Sequence, residues 1–249
     1  DEKELAEITD LIGSYTTNFA SSSAGRAKNV ITGVSKVDGT ILYPGEEFDL
    51  AKTVSPFTQE NGYELAGAYQ NGTVVESFGG GICQVATTLY NAVIRAELEI
   101  TMRFNHSMLV HYVEPSMDAA IAGNYKDLKF KNNLDAPVYI EGYCSGGIIY
   151  FNVYGKETRP SNREISFESE TVSKTDPKVQ FTMDASLTAG SVSVTQSGQS
   201  GCIAQLWKIV KVDGKQQSRD LFNKSNYQAT PKLITIGTKD ATSETPSAL

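Results

Sequence analysis

The sequence has little of what marks disulfide-stabilised, nucleic-acid-binding or membrane-spanning proteins. Its 249 residues include only 3 cysteines, and no two of them have the C-x-x-C spacing of a zinc site. There are 22 Lys and Arg against 29 Asp and Glu, so the basic surplus that binds phosphate backbones is missing. The densest apolar run, 146–151, is far shorter than the ~18 residues of a membrane span. We therefore expect a soluble chain without nucleic-acid partners.

What the sequence does have is enough apolar side chains for one large domain or two ordinary ones, since 40% of its residues are hydrophobic. The charge is unevenly spread, with a net charge of −8 over residues 1–160 and +1 over residues 161–249. This difference predicts two modules. The chain begins at Asp1 rather than Met, which is consistent with a fragment whose signal or anchor has been removed.

Apolar periodicity predicts an α+β fold, with N-terminal helices packed on an antiparallel sheet, followed by a small elongated all-β module. The predicted helices are 3–12, 24–34 and 82–96. The predicted strands of the first module are 102–112, 118–122, 127–132, 137–144 and 148–154. The predicted domains are 1–157 and 165–239, with a polar linker over 156–166, a loop at Asn71-Gly72 and a disordered tail at 240–249.

Cys83 stands at the entrance of the third predicted helix, directly after Gly79, Gly80 and Gly81. A thiolate at this position meets unpaired backbone N–H groups and the positive end of the helix dipole, which lowers a thiol pKa. The glycines would let a substrate backbone approach, and Gln84 would add a polar donor. The alternative is that Cys83, like Cys144 and Cys202, is a small packing residue.

A catalytic thiol needs a base, and the sequence contains 2 histidines, His106 and His111. If 103–113 is one strand, residues five apart point to opposite faces, so only one histidine can face the helix of Cys83. The residues alone leave Glu114, Asp118 and Asp127 open as the carboxylate that orients the imidazole. Metal-ligand spacing is lacking, so we predict no metal and no cofactor.

Several separated motifs, in order, closely resemble the VanW-like domain. They are 15–17 (YTT), 42–48 (LYPGEEF), 79–92 (GGGICQVATTLYNA), 105–107 (NHS), Val110, Tyr112, 117–119 (MDA) and 127–133 (DLKFKNN). The resemblance covers roughly 15–154. It assigns Cys83, His106 and Asp118 to the family's Cys, His and Asp positions, which favours His106 over His111. One departure is Ser116, because the family pattern before the aspartate is Gly-x-Asp.

The second module resembles a five-glycine domain, a small β module of bacterial surface proteins. The matching glycines are Gly190, Gly198, Gly201, Gly214 and Gly237. Such glycines suit turns and close backbone crossings in a thin sheet. This family's role is adhesion or spacing, with binding to cell-wall sugars proposed. A passive spacer is the alternative interpretation.

Together the two resemblances imply an extracellular or cell-wall-associated protein of a Gram-positive bacterium, held to the membrane only by an anchor outside this chain. The VanW-like family takes its name from vancomycin-resistance gene clusters. One hypothesis is a cysteine-dependent peptidoglycan hydrolase or acyltransferase, with catalytic Cys83, His106 and Asp118. Its predicted substrate-binding residues are Gly79, Gly80, Gly81, Gln84 and Tyr112. The other hypothesis is a non-catalytic module that binds peptidoglycan or another cell-wall glycan or peptide, with a structural Cys83.

Overall fold

The structure is a computed structural model that describes residues 2–70, 73–123 and 125–239. Its elements, in chain order, are α1 Glu2–Leu5, β1 Asp10–Asn18, α2 Ala24–Val37, β2 Thr40–Leu42, β3 Glu47–Asp49, α3 Leu50–Val54, β4 Leu65–Gln70, β5 Thr73–Phe78, α4 Ile82–Arg95, β6 Glu99–Met102, β7 Lys129–Lys131, β8 Val138–Ser145, β9 Ile148–Gly155, β10 Arg163–Thr175, β11 Val179–Thr188, β12 Val192–Gln196, β13 Gly201–Val212, β14 Lys215–Tyr227 and β15 Lys232–Lys239. The predicted loop at Asn71-Gly72 and the predicted tail at 240–249 lie outside the described residues.

The first part of the chain folds around an antiparallel sheet with the strand order β1-β9-β8-β2. Helix α4 packs on β1 and β9, and α2 packs on β8 and α4. Val85, Leu89 and Val93 of α4 are fully buried in the same core as Phe151 of β9. The sheet and helix approach closely at Gly13, where a Cβ would lie 2.5 Å from the Ala96 nitrogen. The predicted α+β class is confirmed, and so are the helices α2 and α4 and the strands β8 and β9.

The predicted helix over 3–12 is wrong beyond Leu5. Residues from Asp10 onward form β1, which pairs with β9. Leu11 is 53% exposed and Ile12 only 5% exposed. The apolar residues at 5, 8, 11 and 12 have helical spacing. The segment from Asp10 is nevertheless a strand, because it pairs with β9 and buries Ile12.

The predicted strands over 102–112 and 118–122 are also wrong. Strand β6 ends at Met102, and residues 103–118 form a loop, which we call the histidine loop. Beyond it, Ala122 makes only an isolated bridge with Lys126, and the strand predicted over 127–132 shortens to β7. The opposite-face argument for the two histidines therefore does not apply. Side-chain hydrogen bonds, described below, hold this loop in place of a strand ladder.

Residues from Arg163 onward form two three-stranded sheets, β10-β13-β14 and β11-β15-β12, so the end of the predicted linker already belongs to a strand. The all-β prediction for this part is confirmed. Two of its glycines mark close backbone crossings, since a Cβ would lie 2.4 Å from the Tyr227 oxygen at Gly201 and 2.1 Å from the Thr188 oxygen at Gly237. The domain boundary near residue 160 stays a prediction.

The two parts of the chain contact each other directly. Glu97, just after α4, is within 2.6 Å of the Arg163 guanidinium and 2.5 Å of the Lys208 ammonium. Burial alone would raise the pKa of Glu97, but the hydrogen bonds from Arg163 and Lys208 lower it to about 2. Leu206 of β13 also lies in the same apolar core as α4.

We expect Glu97→Gln to destabilise the fold at pH 7 by about 1–2 kcal/mol, a value reduced for partial solvent screening. The folded-state pKa of Glu97 lies below its ordinary 4.5, so its contribution is complete above about pH 4.5 and is lost as the pH falls toward 2. Urea unfolding between pH 3 and 7 measures this. Glu7→Gln, in the exposed pair with Lys156, is the control and should shift stability by less than about 0.5 kcal/mol. Equal stability of Glu97→Gln and wild type at pH 7 would contradict the prediction.

Candidate active site

Cys83 is the second residue of α4 and is half-buried, so part of it is open to solvent. Its Sγ lies 3.4 Å from the carbonyl oxygen of Ile121. Among the described residues, the Cys83 backbone N–H donates no hydrogen bond, as expected in the first turn of a helix. This places a thiol and a free N–H donor at one helix entrance.

The three glycines before Cys83 form the tight turn that leads into α4. Gly79 and Gly81 have φ of +82° and +112°, and Gly81 is the N-cap of the helix. Gly80 packs against β4, where a Cβ would lie 2.8 Å from the Ala66 carbonyl oxygen. These contacts are with the protein itself. The predicted contact of the glycines with substrate stays a prediction.

His106 and Asp118 form the polar side of the site. His106 Nδ1 lies 2.6 Å from Asp118 Oδ2, and the His106 backbone N–H donates to the same oxygen at 2.7 Å. The Asp118 side chain is 1% exposed and that of His106 is 14% exposed. Cys83 and His106 also influence each other electrostatically, since the imidazole lowers the pKa of the thiol and the thiol raises that of the imidazole. The structure therefore places the Cys83 thiol near a His106–Asp118 hydrogen-bonded pair.

The other titratable residues that the sequence left open lie elsewhere. His111 and Glu114 are exposed. Asp127 accepts hydrogen bonds from the backbone N–H groups of Ala51 and Leu128, at the start of α3. None of these three takes part in the hydrogen bonds between His106 and Asp118.

The electrostatics of the site favour an ion pair between thiolate and imidazolium. Burial alone would raise the pKa of Cys83, but its hydrogen bond with His106 and the imidazolium charge lower it overall. Burial would lower the pKa of His106, but Asp118 and Cys83 raise it to about 9. Asp118 stays ionised because His106 and Arg103 outweigh its burial and lower its pKa. At neutral pH the arrangement can therefore supply a nucleophilic sulfur and a proton donor.

Two further residues hold Asp118, and the sequence did not predict either. Arg103 donates to Asp118 Oδ1 at 2.9 Å and to its backbone oxygen at 2.7 Å. The Tyr227 hydroxyl at the end of β14 donates to the same Oδ1 at 2.5 Å, and Ser225 accepts from Arg103 at 2.9 Å. Tyr227 and Asp118 are 109 positions apart and belong to different predicted domains, so local sequence patterns could not associate them.

The departure at Ser116 from the family's Gly-x-Asp pattern has a structural consequence. Ser116 has φ of +67°, a conformation that glycine adopts without strain. It is fully buried, and its hydroxyl has no hydrogen-bond partner among the described residues. Its backbone is anchored nonetheless, since its N–H donates to the Tyr227 hydroxyl at 2.7 Å.

We expect Ser116→Gly to raise the free energy of unfolding by about 1 kcal/mol. Relief of the left-handed conformation (roughly 1–2 kcal/mol) and of the unpaired hydroxyl outweighs the greater unfolded-state freedom of glycine. Ser116→Ala is the matched control, because it removes the hydroxyl but keeps the strain, and it should be less stable than the glycine variant. Urea unfolding of the three proteins measures this, and a glycine variant less stable than wild type would show the prediction wrong.

A cleft of about 690 Å³ lies beside the first turn of α4, and its lining includes Gln84 but not Cys83, His106 or Asp118. It is lined by Asn18, Phe19, Ser21, Ser22, Ser23, Arg26, Gln84, Val110, His111 and Tyr112. The buried Gln84 already donates its amide hydrogens to Thr17 Oγ1 and the Asn18 carbonyl oxygen, and its Oε1 accepts from Arg26. Burial, and then the charge of Cys83, raise the pKa of Tyr112. Two of the predicted substrate-binding residues, Gln84 and Tyr112, thus line this cleft.

The part of the chain that the structure describes contains neither a metal-binding cluster nor a membrane-spanning helix. Across residues 2–70, 73–123 and 125–239, no three His, Cys, Asp or Glu side chains are grouped so as to hold a metal ion. Over the same ranges, no helix combines the length and the apolar character needed to cross a bilayer.

Comparison with protein families shows a match of residues 25–154 to the family described as VanW like protein. This match spans just over half of the chain. The chain belongs to the VanW-like protein family. Residues 167–239 match the G5 domain, so the VanW-like segment is followed by a G5 segment, as both resemblances predicted from the sequence. The two families indicate association with the cell wall.

Two curated relatives of this VanW-like chain are bacterial. The uncharacterized protein YoaR of Bacillus subtilis (strain 168) is 35% identical over 158 residues, which cover 63% of this chain and 52% of YoaR. The vancomycin B-type resistance protein VanW of Enterococcus faecalis (strain ATCC 700802 / V583) is 26% identical over 118 residues, which cover 45% and 42% of the two chains. The chain therefore spans about half the length of the curated relatives it matches.

Solved structures similar to this chain include two G5 domains. The G5 domain of an IgA1 protease is 27% identical, with a TM-score of 0.23, and the match covers 31% of this chain and 93% of that one. HP0197-G5 is 24% identical, with a TM-score of 0.18, and the match covers 30% and 99%.

Proposed function

We propose that this VanW-like chain is an extracellular acyl-transfer enzyme that acts on peptides of the cell wall, with Cys83 as nucleophile. The observation that carries the proposal is the position of His106, whose ring is hydrogen-bonded to the buried Asp118 and whose charge lowers the pKa of the half-exposed Cys83. A thiol, a base and a carboxylate in this order are the parts of a cysteine acyl-transfer site. Membrane attachment would come from a segment outside this chain.

The reaction begins when the Cys83 thiolate attacks the carbonyl carbon of a substrate amide. The backbone N–H of Cys83 donates to the oxyanion that forms. As the C–N bond breaks and the thioester forms, the His106 imidazolium gives its proton to the leaving amine. Water or a second amine then attacks the thioester carbonyl carbon while His106 takes its proton; the C–S bond breaks and the Cys83 thiolate leaves, so the outcome is hydrolysis or transfer.

The alternative function is binding to the cell wall without catalysis, with Cys83 as a structural residue. Two observations favour it. Residues 167–239 match the G5 domain, and the Cys83 thiol donates a hydrogen bond to the Ile121 carbonyl oxygen at 3.4 Å, as a structural thiol would. In this case Cys83→Ala reduces stability, while the folded variant still binds purified cell walls as wild type does.

Site-resolved alkylation of Cys83 at pH 6 separates the two functions. We expect iodoacetamide to modify Cys83 about tenfold faster than a free cysteine, because His106 lowers the pKa of the thiol and so raises its ionised fraction. His106→Ala should remove this advantage. His111→Ala is the matched control and should leave it intact, since His111 is exposed and takes no part in the hydrogen bonds of Cys83. Slow alkylation that does not depend on His106 would overturn the catalytic proposal.

A further inference from the structure

Arg26 supplies the cleft beside Cys83 with a positive charge that no carboxylate neutralises. Its guanidinium donates to the Ser22 hydroxyl at 2.6 Å and to Gln84 Oε1 at 2.9 Å, and both acceptors are neutral. None of the residues that line the cleft is acidic. Over the described residues, no carboxylate oxygen lies within 4 Å of the Arg26 nitrogens, whereas Arg103, Arg163 and Arg219 each have such a partner.

One other arginine, Arg95, has no carboxylate partner among the described residues, but it lies over the Tyr15 ring at 4.4 Å, whereas Arg26 has only neutral hydrogen-bond acceptors. Burying a guanidinium without a counter-ion costs free energy, so an unpaired, half-buried arginine in a cleft indicates a site for an anion that comes from outside. The two hydrogen bonds fix the orientation of Arg26 and use two of its five N–H donors, which leaves donors for a carboxylate. The exposed His111 and the hydroxyls of Ser21 and Ser23 line the same cleft.

The charge lies close to the first turn of α4, which carries Cys83. Gln84, which holds Arg26, follows Cys83 directly in α4, and both Gln84 and Tyr112 line the cleft. Arg26 also packs against the glycine turn that precedes Cys83, since a Cβ at Gly81 would lie 3.2 Å from Arg26 Cγ. An anion held by Arg26 would therefore lie near the helix entrance at which Cys83 stands.

We propose that the cleft binds the free carboxylate of an acyl-peptide substrate through Arg26, so that the enzyme prefers peptides with a carboxylate near the reacting carbonyl. This inference rests on the proposed function, because it assumes that Cys83 is the reacting group. It goes beyond that function by naming the charge of the substrate and the residue that recognises it.

Two alkylating probes test this on the full chain. Chloroacetyl-alanine and chloroacetyl-alaninamide both lose chloride to the Cys83 thiolate as the C–S bond forms, and they differ only in carrying a carboxylate or an amide. Near the Asp118 carboxylate and in an acidic chain, an anionic probe should be the slower one unless a local cation attracts it. We expect the acid to label Cys83 at least about fivefold faster than the amide, and the advantage to shrink in 0.5 M NaCl.

The ratio of the two rates within each variant cancels differences in thiol reactivity. Arg26→Gln should bring the ratio to one or below, while Arg26→Lys keeps the charge and should retain part of the preference. Lys28→Gln, on the same helix but exposed and paired with Glu64, is the control and should keep the wild-type ratio. A wild-type ratio near one, or a preference that survives in Arg26→Gln, would overturn the inference. Failure of the proposed function gives a different result from failure of this inference. In that case, iodoacetamide alkylation of Cys83 would not depend on His106.

Discussion

Cys83→Ala is expected to lower the release or exchange of peptides from purified Gram-positive cell walls by at least about 10³-fold, because no other group replaces the nucleophile in thioester formation. Liquid chromatography with mass spectrometry of the soluble peptides measures this. In the wild-type protein, mass spectrometry of an acid-quenched reaction should also detect an acyl group on Cys83. The expected effect is large because loss of the Cys83 nucleophile removes the covalent step itself.

Cys144→Ala is the matched control for this substitution. Cys144 is also half-buried, but its burial raises the pKa of the thiol to about 11, so it is protonated at neutral pH. Its replacement should leave the peptide profile unchanged. A folded Cys83→Ala protein with a wild-type peptide profile would contradict the enzyme and support the cell-wall binding module.

The part of the site on α4 could be predicted from the sequence because its signals are local. Apolar residues recur at helical spacing from Ile82 onward, and three glycines precede the helix, so Cys83 is placed at a helix entrance by periodicity alone. The assignment of His106 and Asp118 needed the resemblance to the VanW-like family. The residues themselves left two histidines and three carboxylates open.

The histidine loop could not be predicted because its alternating apolar residues imitate a strand. Met108 is buried, while Val110 and Tyr112 are half-buried along the cleft, so the alternation reflects one side of a loop rather than a sheet face. What fixes the loop is the set of hydrogen bonds around Asp118. Those contacts depend on side chains brought together by the fold, and no period in the sequence encodes them.

The strand β14 adds a feature that neither resemblance implied. Tyr227 and Ser225 reach across to Asp118 and Arg103, and Asn223 of the same strand donates to the Tyr90 hydroxyl on α4 at 2.7 Å. These contacts are buried or partly buried, so the carboxylate of the site is enclosed by residues from both family segments. A G5 segment that acted only as a passive spacer would have no need of them.

Asp118→Asn is expected to lower the catalytic rate by about 10³–10⁴-fold, the range typical of losing the carboxylate behind a catalytic imidazole. In the wild-type protein, Asp118 contributes to raising the pKa of His106 from its ordinary 6.5 to about 9. The imidazolium therefore persists up to about pH 9, and the proton needed by the leaving amine is available throughout the neutral range. Without the carboxylate, the His106 pKa falls, so the alkaline limit of activity should move to lower pH. The pH dependence of kcat/KM and of Cys83 alkylation measures this shift.

Stability must be measured beside activity, because asparagine leaves the Arg103 charge without its partner and should destabilise the fold by about 3 kcal/mol. Asp127→Asn is the matched control. It alters another partly buried carboxylate that accepts two backbone N–H groups, but it lies outside the hydrogen bonds of His106. Its pH profile should coincide with that of wild type. The Asp118→Asn variant must be assayed well below its own unfolding temperature. If it kept the wild-type alkaline limit of activity, Asp118 would not raise the pKa of His106. The role of Asp118 would then be confined to holding the histidine loop.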